Sequence, residues 1–453
     1  MRAAGRSVRP GTGLPSTGRR LRSSRLRLPA HRASSATLAG AYPFLAPVPP
    51  QLGVPVGIDA LTGERFGFDP WQAYAEGLVT NPNVALVGVI GVGKSALVKS
   101  LTFRSIARGR RVYVPGDPKG EWAPVARAAG GLVVPLGPGM ATRLNPLDTP
   151  ATDAVSRHQT RTRLLVALAA TVLGRELTPV EHTCLDAALS TAERDHGTVL
   201  VGHVIDALVE PDPSAAAADR TTVAVRTADA RNLAAGLRRL VRGDLAGLFD
   251  RPSTVVLDPG APMVVLDLSR LGSDDTALAV AMTCTSAWLE TAIATTGGQR
   301  WVVYDEAWRL MRHEALVARM QAQWKLSRAH GVANLLVQHR LSDVTGTGAA
   351  GSRARGLAEG LLADCSTRIV YRQEPDQASA TATTLGLTRT ERDLLPALPR
   401  GTALWKLPRS SYVVHHVLHH DELALVDTDQ AMRTTPPGDE PGHLKPAQRE
   451  VQR

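Results

Sequence analysis

The chain has 453 residues, 43 % of them apolar, enough to fill one large α/β domain with an insertion or two separate domains. Its formal net charge of +10 is concentrated at one end: residues 1–50 hold nine arginines and no acidic residue, so the remainder is nearly neutral and global charge is no argument for nucleic-acid binding. Cys184, Cys284 and Cys365 are far apart and odd in number, which excludes a disulfide framework and predicts buried thiols in a reducing compartment, and no apolar run is long enough to predict an integral membrane segment.

In chain order, residues 1–40 are rich in Arg, Ser, Pro and Gly with little to bury and read as a disordered basic arm, with a tether to nucleic acid or anionic lipid as the alternative. Residues 41–56 contain five prolines and read as a stiff linker. From Val56 to Trp71 the pattern predicts a short hairpin, after which Val84-Ala85-Leu86-Val87 is apolar without alternation, as suits a strand buried on both faces of a parallel sheet.

That strand runs into Gly88-Val89-Ile90-Gly91-Val92-Gly93-Lys94-Ser95-Ala96, the phosphate-binding pattern G-x-x-x-x-G-K-[ST], followed by a helix-compatible stretch. Glycines at 88, 91 and 93 let backbone N–H groups turn inward around an anion, and the following helix points its positive end at the same phosphates. Lys94 is predicted to reach the β and γ phosphates and the Ser95 hydroxyl a magnesium ion. The chain has only six lysines, which makes a chance match improbable.

A second strand is predicted over Arg111–Val114, ending in the polar loop from Pro115 to Trp122, and a third over Leu132–Pro135. Asn145-Pro146-Leu147 carries a turn signature. The first part of the core, 57–150, is then interrupted by an all-α insertion over 151–250, where Thr178-Pro179-Val180-Glu181 is a capping box and 211–222 is a polar loop. The second part of the core, 251–427, opens with a strand over Met263–Leu268 and a helix over roughly 274–294. Trp301-Val302-Val303-Tyr304-Asp305-Glu306 is an apolar strand ending in two acids, with Asp305 placed for magnesium and Glu306 for the attacking water.

A helix over 308–329 is expected next. Val332–Gln338 follows as a strand whose terminal amide is placed to sense a γ-phosphate, then Thr367–Gln373 with arginines at 368 and 372. A late strand pair, 401–406 and 411–417, completes the sheet. His415, His416, His419 and His420 read as a solvated terminal segment, since adjacent histidines on a strand face opposite sides and cannot all converge on a metal. Residues 428–453 read as a disordered tail.

Taken in order, the phosphate loop, Asp117-Pro118-Lys119-Gly120-Glu121, Asn145-Pro146-Leu147, Asp305-Glu306-Ala307-Trp308 and Gln338 resemble the ATPases of bacterial type IV secretion and conjugation systems, in the FtsK–HerA superfamily of RecA-like P-loop NTPases. The resemblance covers about residues 57–425 and implies the ATPase half of such a protein: an α/β core with a mostly parallel sheet and an all-α insertion, using ATP and Mg2+. It further implies a hexameric ring at the cytoplasmic side of the cell membrane, peripheral to it and beside secretion-channel proteins. By the same resemblance Lys94, Glu306, Gln338 and Arg372 are the catalytic set, with Arg372 expected to reach a nucleotide ahead of Arg368 and Arg328. An ATP-binding assembly scaffold with little turnover and a DNA translocase, with possible DNA contact, are the alternatives.

Overall fold

The computed structural model describes residues 49–148, 153–243, 245–255, 258, 260–272, 274–339 and 353–426. The predicted basic arm, the first half of the predicted linker (41–48) and the predicted tail lie outside the described residues. The described strands form one sheet, β1 (Val54–Asp59), β2 (Arg65–Phe68), β3 (Val84–Val87), β4 (Arg111–Asp117), β5 (Leu132–Pro135), β6 (Met263–Asp267), β7 (Arg300–Tyr304), β8 (Val332–Gln338), β9 (Thr367–Val370), β10 (Thr402–Lys406) and β11 (Ser411–His416). Their spatial order is β2-β1-β11-β10-β9-β3-β8-β7-β4-β6-β5. From β9 to β5 every pairing is parallel; from β9 through β10, β11 and β1 to β2 every pairing is antiparallel. The fold class is therefore the α/β class expected.

Alternation along each central strand divides its side chains between two apolar clusters, one on each face of the sheet. Ala85, Val87, Val302 and Tyr304 enter the cluster that also contains Leu164, Leu185 and Leu233 of the helical segment. Val84, Leu86, Trp301 and Val303 enter the other, with Phe66, Trp122 and Trp405. Both faces are covered, which explains why these strands read as unbroken apolar runs. The hairpin β1–β2 is tied to the late strands by aromatic contact, Phe66 lying 4.9 Å and Phe68 5.2 Å from Trp405 between ring centroids.

Between β5 and β6 the described residues hold only helices, the longest being Ala154–Leu173 and Pro179–Asp195. They share one core with the sheet rather than forming a core of their own. Asn145 is the joint at their entrance. Its amide nitrogen donates to the Asp148 carboxylate at 2.7 Å and to the Val199 carbonyl at 3.0 Å, and its amide oxygen accepts from the Leu147 N–H at 3.1 Å.

Several expected boundaries move. Val54–Val56, expected as linker, already belong to β1. β4 continues past Pro115 to Asp117, with a register irregularity after Val114, and the Pro115 carbonyl, left without a ladder role, accepts from Thr285 Oγ1 at 2.9 Å. The polar loop over 211–222 contains a short helix, Pro213–Ala218. The helix expected over 308–329 is a 3-10 turn, Ala307–Arg312, then Glu314–Lys325, because His313 takes an extended backbone that no continuous helix allows. β9 stops at Val370 rather than at Gln373, and the chain leaves the ladder for a helix that opens with Pro375.

Candidate nucleotide-binding site

The phosphate loop follows β3 at the C-terminal edge of the parallel strands, where α/β sheets place ligands. Neighbouring chain ends hold it open: the Gly88 N–H donates to the Gln338 carbonyl at 3.3 Å, the Val89 N–H to the Arg372 carbonyl at 3.2 Å, and the Val92 carbonyl accepts from Gly401 N–H at 2.9 Å. Three positions require glycine: a Cβ at Gly88 would stand 2.5 Å from Tyr371 Cβ, and Gly91 and Gly93, at φ +79° and +104°, have a backbone that L side chains rarely adopt. Gly93 is also the N-cap of the helix Lys94–Ile106, whose first turn has neither a side-chain cap nor an acid, so its positive end is left for an anion.

Lys94 is buried, and its ammonium donates to the loop carbonyls of Gly88 at 2.6 Å and Val89 at 2.7 Å. Burial lowers its pKa to about 8, opposed by the nearby charges of Glu306 and Asp305. The charges of the two acids after β7 thus reach the lysine after β3. The strand order is the cause, since only β8 stands between β3 and β7.

Asp305 is fixed on both oxygens, accepting from the Trp122 indole N–H at 3.0 Å and from the Glu306 backbone N–H at 3.0 Å. Burial pushes its carboxyl upward from the usual range. Glu306 is nearly buried and has φ +54°, a left-handed backbone costing a non-glycine residue about 1–2 kcal/mol. Its Oε1 accepts from Lys119 Nζ at 2.5 Å, and His339 Nε2 lies 3.0 and 3.1 Å from its two oxygens. The loop carrying Lys119 is braced by Asp117, which accepts from the backbone N–H groups of Lys119 at 3.2 Å and Trp122 at 2.8 Å. Burial pushes Asp117 up to about 6, with Asp267 and Asp305 adding to the shift.

A cleft of about 330 Å3 joins these parts, bounded by the loop, Lys119, His339 and Arg400, with Leu418, Leu423 and Val426 as an apolar wall. That wall is anchored to the loop's own helix by Arg104, which donates from Nε and Nη2 to the two oxygens of Glu422 at 2.7 and 2.5 Å.

Gln338 sits at the end of β8, buried, with neither its amide nitrogen nor its amide oxygen partnered among the described residues. A buried amide without partners beside a phosphate loop fits a site completed by a polar ligand. Of the three arginines considered, Arg372 is exposed and adjoins the loop through its carbonyl. Arg368 is spent on the Leu385 carbonyl at 2.8 Å, and Arg328 precedes β8 and so stands at the opposite edge of the sheet. Lys119 and His339 belong to the site without having been assigned a role from sequence.

The four late histidines do not behave as one solvated segment. His416 turns inward, with Nε2 2.8 Å from Ser100 Oγ, and burial lowers its pKa to about 4; His415 faces Thr402 Oγ1 at 3.0 Å; His419 and His420 are exposed. Among the described residues no group of three or more His, Cys, Asp or Glu is placed to hold a metal.

No family model matches the chain, and no curated protein matches it in sequence. Solved structures do. VirB4 of Thermoanaerobacter pseudethanolicus is similar with a TM-score of 0.64 at 21 % identity, over 83 % of this chain and 99 % of that one. The bacterial conjugative coupling protein TrwB, as TrwBΔN70, is similar with a TM-score of 0.56 at 14 % identity, over 82 % and 90 % of the two chains. The plasmid coupling protein TrwB in complex with ADP and Mg2+ has a TM-score of 0.54 at 15 % identity, over 75 % and 86 %. The chain thus shares the RecA-like P-loop fold of VirB4 and TrwB.

Proposed function

We propose that the chain hydrolyses ATP and serves as the motor subunit of a bacterial conjugation or type IV secretion-like apparatus. The observation that carries the reading is that Lys94 lines the phosphate-loop cleft with Lys119 and His339, both bonded to Glu306, and feels the charges of Glu306 and Asp305. The solved neighbours support it: one of them is TrwB in complex with ADP and Mg2+.

In this reading the loop from Gly88 to Ala96 binds the triphosphate, and Lys94 leaves its loop carbonyls for the β and γ phosphates. Ser95 and Asp305 are the residues suited to hold Mg2+, through a hydroxyl at the helix start after β3 and a carboxylate at the end of β7, two strands away. Held there, Mg2+ would neutralise phosphate charge. Glu306 is the acceptor for the proton of the attacking water, and the unpartnered Gln338 amide orients that water or the γ-phosphate. Arg372 is assigned to a nucleotide in a ring of identical subunits, six by analogy with the superfamily. Secretion-channel proteins are the expected partners and the inner face of the cell membrane the expected place; no helix of the described residues is long and apolar enough to cross a membrane.

The test is phosphate release from MgATP by the purified chain together with binding of a fluorescent ADP. Wild type is expected to show both and Lys94→Ala neither. A wild-type protein that neither binds nor hydrolyses nucleotide overturns the reading, and one that binds without turnover leaves an assembly scaffold in its place.

A further inference from the structure

Two features of the cleft are left over once Lys94, Ser95, Asp305, Glu306 and Gln338 have been given their tasks. A second lysine, Lys119, faces the same cleft as Lys94, and its ammonium is held by Glu306 at 2.5 Å. The carboxylate expected to accept a proton from water is therefore neutralised by a cation in the free protein. The ammonium sits on Oε1, the carboxylate oxygen that a water would otherwise share.

The geometry says which partner can leave. Glu306 is 9 % exposed and fixed by its left-handed backbone, whereas the Lys119 side chain is 50 % exposed on a flexible four-carbon stem. The backbone of Lys119 stays put, its N–H on Asp117 Oδ1 at 3.2 Å. His339 contacts both oxygens of Glu306 from a third strand end, so the carboxylate remains oriented when the lysine departs. A γ-phosphate brings more negative charge than one carboxylate and offers three acceptor oxygens.

We infer that Lys119 is a second phosphate-binding cation that pairs with Glu306 while the cleft is empty and transfers to the γ-phosphate when ATP enters, freeing Glu306 to accept the water's proton. The inference rests on the ATPase reading. It assigns ADP a different consequence from ATP: with no γ-phosphate to draw it off, Lys119 remains on Glu306 and the carboxylate stays masked. His339 acts here as a positioning residue.

The difficulty for any test is that removing Lys119 also bares Glu306, whose charge repels ATP for an unrelated reason. The experiment therefore uses the full-length chain carrying Glu306→Gln, with and without Lys119→Ala or Lys119→Arg, and measures affinity for ATPγS and for ADP by displacement of a fluorescent ADP. With the carboxylate absent from all three proteins, Lys119→Ala is expected to cut the preference for ATPγS over ADP by about tenfold or more, the worth of a charge-assisted hydrogen bond, and Lys119→Arg to restore part of it. ADP affinity itself is expected to stay within about threefold, which also reports that the protein is folded. A preference unchanged within about twofold on losing Lys119 would overturn the inference while leaving the ATPase reading intact. A Glu306→Gln parent that binds neither nucleotide, or binds them regardless of Lys94→Ala, would overturn the ATPase reading and this inference with it.

Discussion

Lys94 is a cation held ready at a cost. Buried and bonded only to neutral carbonyls, it has a pKa near 8 in the free protein, well below the ordinary lysine value. A phosphate favours the charged form, so nucleotide binding above about pH 8 must take up a proton. Affinity for MgADP is thus expected to be flat below pH 8 and to fall above it by up to about tenfold per pH unit, readable by titration calorimetry in buffers of different ionisation heat. The sign for stability is opposite: charging Lys94 penalises the fold, so its contribution is least favourable below pH 8 and recovers as pH rises toward 10.5. Gly88→Ala is expected to destabilise the fold by about 1–3 kcal/mol in denaturant melts and to weaken nucleotide binding, because the added methyl collides with Tyr371 Cβ just beyond β9, where the Tyr371 N–H is held by the Val87 carbonyl at 2.8 Å. Lys94, Ser95, Asp305 and Glu306 were legible in sequence because their spacing is set by a local strand, loop and helix. Lys119 and His339 were not. Their meeting on Glu306 depends on β4, β7 and β8 ending side by side, which only the strand order determines.

Elements whose sequence signal is local came out near their predicted bounds. β3, β5 and β8 are apolar runs between loop residues, and the capping box is present, with Thr178 Oγ1 accepting from Glu181 N–H at 3.2 Å and Glu181 Oε2 accepting from Thr178 N–H at 2.8 Å. Thr178→Ala is expected to lose about 1 kcal/mol in urea melts, since the helix Pro179–Asp195 then begins without its cap. Arg175 and the Thr178 N–H hold Glu181 down to about 2. A carboxylate depressed in the folded state contributes stability above its unfolded value and loses it as pH falls, so this contribution is expected to drain away between about pH 4.5 and 2 and to be missing in Glu181→Gln. Elements that the sequence misplaced are those decided by tertiary contacts: Thr285 holding β4 beyond its proline, and the exit of β9 toward the helix at Pro375.

At the scale of the molecule, the helical segment between β5 and β6 shares its core with the sheet, so the long gap between Lys94 and Asp305 is closed by packing as well as by strand pairing. In the proposed ring, Arg372 serves the site of a neighbouring subunit. Neither Arg372→Ala nor Glu306→Gln alone is then expected to hydrolyse ATP appreciably, whereas a mixture of the two is expected to regain activity. Each Arg372→Ala site keeps its own Glu306 and receives an arginine from the adjacent Glu306→Gln subunit. A mixture as inactive as its components would place Arg372 in its own subunit's site or outside the reaction.

In the proposed reading the loop after β3 and the two acids after β7 form a single hydrolytic centre. Its most direct measurement is the steady-state rate of MgATP hydrolysis by Glu306→Gln beside its affinity for ADP. ADP affinity within about threefold of wild type, with kcat lowered by about a hundredfold or more, is the result predicted. A loss of less than about tenfold in kcat with binding intact would contradict it.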